Sequence, residues 1–484
     1  MKKIIFLGTL FIAILFTCNL NAQWSPLKRL TSGYKDTNPS FNSLQYYGGY
    51  RWEFMAFERR INSSSSICVI GLDQYGVHDT IKYLTSNNFI NRNPCIAYNT
   101  DSMKNALVLW ETNQNGRWDI YGSYYNSGIW SPYFPVDSSS GDKSNPKAIQ
   151  INAAEFGITY SKDGEIIYRR YNAATKTTIS ETNLTAAITG RSDKPVIGVS
   201  NYFNGEIVLS FCSQKTDSTS LVYSSRSTNN GNTWTLKDSI SSNGNNSPLT
   251  IVKNYNDVHQ VFESDRAGKN GIYSFISGAN TTDIVYSSPY FNYYGFKAWL
   301  YPFIFDSFFA HINAVVRKSN DSTKILLDAS NTSHKDSITI GDSSKSTSIA
   351  LNNGVRAGLD YLFYMVFSKD SAGFTSLYYK TKIFVTGNIT RTGNYIADDF
   401  KLYQNYPNPF NPTTKIKFDI PKTSDVKIII FDAVGREVKN ITQNNMTAGS
   451  YEYEFNGENL SSGIYYFKLQ TNEFSKSVKM MLVK

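Results

Sequence analysis

Short apolar segments that close on a large side chain return along this chain at a nearly constant interval. They end at Phe57, Trp110, Tyr160, Phe211, Phe262, Val316 and Phe367, with separations of 53, 50, 51, 51, 54 and 51 residues. A fixed period of this length means that one supersecondary unit has been copied and stacked, and that no copy can bury its apolar face alone. Seven copies account for most of a 484-residue chain that is too long for one ordinary core.

A second landmark keeps the same beat. Pro39, Pro94, Pro146, Pro195, Pro248 and Pro302 follow one another at 55, 52, 49, 53 and 54 residues, and each is expected to open a short strand. Proline fixes φ there and lacks the N–H that a ladder interior needs. In the seventh unit the same register falls near Ser348, without a proline. After each landmark the text resolves into further strands: ALVLW, a turn at Asn115-Gly116, WDIYGSYY and GIWSP in the second unit; FGITY, Asp163-Gly164 and EIIYRRY in the third. Asn-Gly and Asp-Gly supply the positive φ of tight hairpins. Aromatic residues reach 15% and charged residues only 18%, a balance that suits β-structure and excludes a coiled coil or a disordered chain. Four strands in about 50 residues, repeated seven times, predict an all-β fold, a seven-bladed β-propeller over residues 23–388.

The ends of the repeat predict how the ring closes. WSP occurs at Trp24–Pro26 and again at Trp130–Pro132, where it opens an outermost strand. The first copy lacks the three strands that should precede it, and the seventh unit loses its pattern after Phe384. The strand near Trp24–Leu30 is therefore expected to complete the blade of Leu362–Phe384. Ahead of it, residues 1–22 have a basic start, an apolar stretch from Ile4 to Phe16 and Ala22 at the junction, the pattern of a secretory signal peptide. Phe16 and Thr17 stand where a lipoprotein signal at Cys18 prefers small residues. No later apolar run is long enough for a membrane-spanning helix.

Charge and cysteine content restrict partners. Without Lys2, Lys3 and the last 87 residues, which hold 11 basic and 10 acidic side chains, about +6 of the formal +9 stays on the central region. Those cations are scattered singly, which argues for a solvated surface and against a nucleic-acid site. Cys68, Cys95 and Cys212 are odd in number and lack CxxC spacing, so buried thiols are expected; one Cys68–Cys95 bridge stays open.

Residues 389–399 have turn formers and no periodicity and are expected to be a linker. From Phe400 the text changes: Tyr406-Pro407-Asn408-Pro409-Phe410-Asn411-Pro412, FDAVGREV around Gly435, Gly449-x-Tyr451, SSGIYYFKL and a terminal KMMLVK. In this order the segments closely resemble the C-terminal sorting domain of type IX secretion cargo. KIKFDI, DVKIIIFD, YEYEF and GIYYFKL read independently as strands of an immunoglobulin-like sandwich over residues 400–484. The resemblance implies signal-peptide export, contact of residues 400–484 with the type IX machinery, and passage through the outer membrane to the surface or the medium.

Other motifs speak to fold more than to chemistry. Ser227, Asn229, Gly231, Thr233 and Trp234 have the spacing of an Asp-box, with Asn in the Asp position, and resemble a structural turn of sialidase-like propellers. Phe262–Arg266 followed by Gly271-Ile272-Tyr273, and TNQNGRWDIY, resemble the repeat of TolB-like propellers. Glu58, Glu111 and Glu263 hold equivalent positions after the second strand of three units, and retaining glycoside hydrolysis needs two carboxylates about 5 Å apart. Repetition alone also explains them. The arginine-bearing FRIP-like segment of sialidases is absent; Asn91-Arg92-Asn93-Pro94 comes nearest. His78, His259, His311 and His334 lack zinc-site spacing, Asn113-x-Asn115-Gly116 lacks the acidic residues of a calcium loop, and no Walker, GxGxxG or GxSxG element occurs. No catalytic, metal or cofactor residue is therefore expected. The sequence favours a non-catalytic binding or scaffold module for an extracellular glycan, peptide or polymer, with a glycan-cleaving hydrolase as the alternative.

Overall fold

Neighbouring residues of a single strand serve two different cores. Phe54 and Ala56 pack with Ile96, Val108 and Trp110, while Met55 and Phe57 pack with Ala350, Val366 and Leu377. Val108 and Trp110 face back in this way, and Leu107 and Leu109 face on to Phe156, Ile158 and Tyr160. This is the two-residue period of a strand buried on both faces, each apolar layer belonging jointly to two sheets.

The computed structural model describes residues 25–484 except 26, 42–51, 74–75, 78–79, 87, 99–104, 202–205, 217–218, 238, 254–257, 278–280, 287–291, 303–308, 319–322, 330–335, 342–347, 352–354, 358–359, 372–373, 385–388, 394–397, 447 and 458–459. The signal-peptide expectation, His78, His334 and the side chain of His311 lie outside the described residues. The described chain is all-β, without a helix. Seven antiparallel sheets follow one another from Lys35 to Phe384. The first three strands of the second sheet are Asn91–Tyr98, Asn105–Thr112 and Asp119–Asn126, and those of the third are Lys143–Gln150, Glu155–Lys162 and Glu165–Asn172. The other sheets begin with Lys35–Ser40, Ser192–Asn201, Asn246–Lys253, Asn292–Pro302 and Ile349–Leu351. Each first strand lies against the first strand of the next sheet, and Ile349–Leu351 lies against Lys35–Ser40. Lys28–Arg29 forms the outer strand of the seventh sheet, with Lys28 opposite Tyr379 and Arg29 opposite Tyr378 in Phe374–Phe384.

Local sequence explains the turns. Asp163 (φ 51°) and Gly164 (φ 91°) are both left-handed between paired Lys162 and Glu165, the backbone of a two-residue hairpin. WSP at Trp130 interrupts its strand, so the outer edge of the second sheet is made by Ile129–Trp130 and, separately, Phe134–Asp137.

Three expectations are corrected. The prolines do not open strands: Pro39, Pro94, Pro146, Pro195 and Pro248 lie inside the first strands, where pairing shifts register. Pro302 is not equivalent to them, since it closes Asn292–Pro302 opposite Phe309, and the shift in that strand lies between Tyr294 and Lys297. Residues 389–399 are not wholly a linker, because Ile389–Gly393 pairs antiparallel with Gly449–Asn456. The cysteine question is answered as well: Cys68, Cys95 and Cys212 form no disulfide, and the first two are buried.

The tail consists of two four-stranded sheets. One runs Ile389–Gly393, Gly449–Asn456, Thr413–Ile420, Lys401–Leu402; the other runs Glu437–Met446, Ser424–Asp432, Gly463–Gln470, Ser475–Leu482. Ile416, Phe418, Ile428, Ile430, Tyr453, Phe467 and Leu469 fill the space between them. The proline-rich segment lies along the edge strand Ser475–Leu482: Phe410 N–H donates to Met481 O and Val483 N–H donates to Phe410 O.

Candidate functional site

The register shifts create a repeated feature at one end of the sheets. Asn38, Asn93, Asn145 and Lys194, each just before its proline, have φ of 50°, 52°, 55° and 52°. A residue before proline is ordinarily extended, and a left-handed non-glycine residue costs on the order of 1–3 kcal/mol where the surroundings hold it. Four copies at one register position mark a rim that the fold maintains against local preference.

What the bulges do is visible in their partners. The Asn145 N–H donates to Glu111 Oε1 at 2.7 Å, across to the preceding sheet. Asn93 Nδ2 donates to the same oxygen at 2.9 Å, and Arg92 Nε donates to Glu111 Oε2 at 2.7 Å. Glu58 repeats this arrangement, accepting from Asn38 Nδ2 at 2.9 Å and from the Asn93 backbone. Between the seventh and first sheets the acceptor is a hydroxyl, Ser348 Oγ, 3.0 Å from the Asn38 N–H. In the third sheet Ser161 occupies the equivalent position, and Asp193 supplies the carboxylate, accepting from Ser161 Oγ, Asn145 Nδ2 and its neighbour's Lys194 N–H.

Two of the three carboxylates singled out by the sequence are therefore in one continuous brace between sheets. Glu111 is fully buried and Glu58 nearly so. Burial lifts Glu58 above the usual carboxylate range, opposed by Asn38, Arg60, the Asn93 amide and Arg92. Glu263 differs. Burial raises it too, against the charge of Lys194 and one side-chain donor, Asn270 Nδ2 at 3.3 Å. Cys212, at the equivalent place in the fourth sheet, donates to Asp193 O at 3.2 Å, and burial pushes its thiol up to about 11, away from nucleophilic use.

A second brace recurs one turn outward. Ser65 Oγ accepts from the Asn91 N–H and donates to Asn91 O, and Ser220 does the same with Asn246. Deeper still, Lys143 is fully buried with Nζ 2.9 Å from Asp119 Oδ1. Burial pushes Asp119 up, but Asn115, Lys143 and Arg117 outweigh it and hold the carboxyl below its ordinary value.

Sequence reasoning missed Arg92 as a site residue, reading it only as a departure from a motif. Its guanidinium carbon stands 3.6 Å from the centroid of Trp118, and its side chain keeps 40% exposure while Glu111 beneath has none. The only signal was an Arg near the start of the first strand of the second sheet, Asn91–Tyr98, and a Trp in the turn before its third strand, Asp119–Asn126. The turn Ser227–Trp234 is tied internally: Gly231 N–H donates to Ser227 Oγ, Thr233 N–H to Asn229 Oδ1, and Trp234 Nε1 to Gly231 O. Trp234 packs edge-on against Tyr168 at 4.7 Å. Its contacts lie within the third and fourth sheets, away from the rim carboxylates. His259 Nδ1 lies 3.1 Å from Ser274 Oγ. Among the described residues no group of three or more His, Cys, Asp and Glu is placed to hold a metal, and no helix is long and apolar enough to cross a membrane.

No curated protein matches the chain in sequence. In structure it is similar to PorZ, a surface component of the type IX secretion system of Porphyromonas gingivalis, at 13% identity and TM-score 0.39 over 91% of this chain. The chain spans 59% of that protein's length. It is also similar to TolB from Acinetobacter baumannii, at 10% identity and TM-score 0.33 over 68% of this chain and 80% of that one. An exo-β-1,3-galactanase from Phanerochaete chrysosporium matches at 8% identity and TM-score 0.30 over 92% and 100%. Residues 404–484 match the secretion system C-terminal sorting domain family, and this type IX tail sends the chain through the outer membrane to the cell surface or the extracellular space.

Proposed function

We propose that residues 23–388 are a seven-bladed β-propeller closed by the N-terminal strand, that the tail is an immunoglobulin-like sandwich, and that the exported propeller is a non-catalytic binding or scaffold module for an extracellular polymer. The observation that carries this reading is the engagement of Glu58 and Glu111. A hydrolytic pair needs one carboxylate free to attack or activate water and one free to give a proton. Glu111 instead accepts from Arg92, Asn93 and the Asn145 amide, and Glu58 from Asn38 and the Asn93 amide. Such carboxylates position backbone; they are not poised for proton transfer. The ligand surface is then the rim itself, where loops between sheets meet.

One observation favours the hydrolase reading: Glu263 is raised by burial and has few donors, as a general acid would be. The secreted full-length protein screened against fluorogenic glycosides and a glycan array separates the two. Array binding without turnover supports the binding module. Turnover that disappears in Glu263→Gln, with folding intact, replaces it.

A further inference from the structure

We propose that Arg92, with Asn38, Asn93 and Asn145, holds a carboxylate-bearing sugar, the uronate of an acidic polysaccharide. The inference rests on the binding reading of the rim and names its ligand class.

The guanidinium is fixed before any ligand arrives. Nε is tied to Glu111 at 2.7 Å, and the guanidinium carbon lies over the Trp118 ring, 3.6 Å from its centroid. Its two terminal nitrogens have no partner among the described residues, and 40% of the side chain is exposed. A preset planar fork matches a carboxylate with two parallel charge-assisted bonds, and little rotamer freedom remains to be lost on binding.

Acceptors lie along the same rim as the fork. Asn38, Asn93 and Asn145 each give Nδ2 to a carboxylate of the brace. Each amide oxygen has no partner among the described residues, and all three residues are half-buried at the same bulge position of consecutive sheets. Neutral acceptors repeated along the rim that holds this guanidinium suit a polymer with a carboxylate and hydroxyl donors, which is the chemistry of a uronate. A neutral sugar leaves the fork unpaired, and an acidic side chain of a peptide brings no ring of hydroxyls.

Local charge permits an anion. Glu58 and Glu111 are drawn beneath the surface, while Arg92 stays exposed; Arg60 adds a second positive charge acting on Glu58.

The test titrates the full secreted chain with polygalacturonate and alginate, with fully methyl-esterified pectin as the neutral counterpart, and with polyglutamate as the peptide counterpart. The expected result is binding to at least one uronate polymer, about tenfold or more weaker binding to the ester and to polyglutamate, and a loss of about tenfold in Arg92→Lys, which keeps the charge and loses the fork. Arg92→Lys is read beside its unfolding midpoint; Asn93→Ala gives a second, fork-sparing variant with weaker binding expected. Equal binding to polyglutamate, full affinity in Arg92→Lys, or no binding to either uronate overturns the proposal. Neutral-glycan binding indifferent to Arg92 overturns it while leaving the binding module standing; absence of all glycan binding removes both.

Discussion

Ser25 and Thr381, 356 positions apart, are bonded to each other twice: the Ser25 N–H donates to Thr381 O at 2.8 Å, and the Thr381 N–H donates to Ser25 Oγ at 2.9 Å. Leu30 N–H adds a bond to Leu377 O at 2.8 Å, and Arg29 Nη2 one to Ser376 Oγ at 2.7 Å. The first described residues thus form the outer edge of the last repeat. Deleting residues 24–31 should leave Phe374–Phe384 as a bare edge. The expected outcome is a lower urea midpoint, a broader transition and association in size-exclusion chromatography. An unchanged midpoint would show that the N-terminal strand contributes nothing to closure.

Glu111→Ala removes the acceptor for Arg92, Asn93 and the Asn145 amide at once. Arg92 stays 40% exposed to solvent, so the loss comes mainly from leaving the Asn93 and Asn145 donors unsatisfied, about 1–3 kcal/mol. Equilibrium urea unfolding should show that loss, with Glu111→Gln intermediate. Unaltered stability would remove the bracing role.

The pH dependence follows from direction. Glu263 has a folded pKa above its unfolded value because burial disfavours its charge. Its contribution is fully present below the ordinary carboxylate value of 4.5 and is lost as pH rises through the folded pKa. Glu263→Gln has no charge to bury, so its stability relative to wild type should improve between pH 4 and pH 8. Asp119, held below its ordinary value, gives the opposite sign: its contribution is present above the unfolded pKa and disappears in acid. Denaturant midpoints of Glu263→Gln and wild type at pH 4 and pH 8 check the first, and those of Asp119→Asn and wild type at about pH 6 and about pH 2, below the ordinary aspartate value, check the second; shifts of the same sign with pH in the two variants would contradict the assignment.

Gly231 and Gly268 form a matched pair, with φ of 79° and 80°. A Cβ at 231 would meet Tyr168 Oη at 2.2 Å, and at 268 it would meet nothing within 4 Å. Both alanine variants carry the backbone penalty, but only Gly231→Ala adds overpacking of about 1–3 kcal/mol. Thermal unfolding should rank Gly231→Ala below Gly268→Ala; equal midpoints would mean that Tyr168 yields freely.

Ending the chain after Phe384 should leave a folded protein in the periplasm, and a neutral passenger joined to residues 385–484 should reach the outside. A fusion beginning at residue 400 lacks one of the two strand partners of Gly449–Asn456 and should unfold at lower denaturant, whether or not it is exported. Fractionation and limited proteolysis of the two fusions test this. Secretion of the truncated chain would dismiss the tail as the signal.

The repeat was legible because each copy obeys the same alternation of apolar side chains, and Trp110 or Phe211 reports burial wherever it stands. The bulges were not, since Asn-Pro reads as the opening of a strand and nothing in one strand shows that its neighbour shifts register. Glu58 and Glu111 stood out as equivalents, but their partners, Asn93 and Asn145, lie 35 and 34 positions ahead in the next sheet. Pro302 shows the opposite error, a spacing that fits by coincidence. Ile389–Gly393 was hidden because ITRTG is short and polar, and its strand character comes from Gly449–Asn456 some sixty residues later.

That short strand separates two events that the covalent chain makes look like one. Residues 389–393 precede the matched sorting domain yet are hydrogen-bonded into its sheet, with Ile389 opposite Tyr453, Thr390 opposite Glu452 and Arg391 opposite Tyr451. A cut anywhere between Gly393 and Lys401 divides the polypeptide but leaves the cargo gripping its former address label by a ladder of main-chain bonds. If such a cut is made, freeing the cargo also requires this one strand to peel away, so the cut would set when the tie can be undone and the ladder how long it takes.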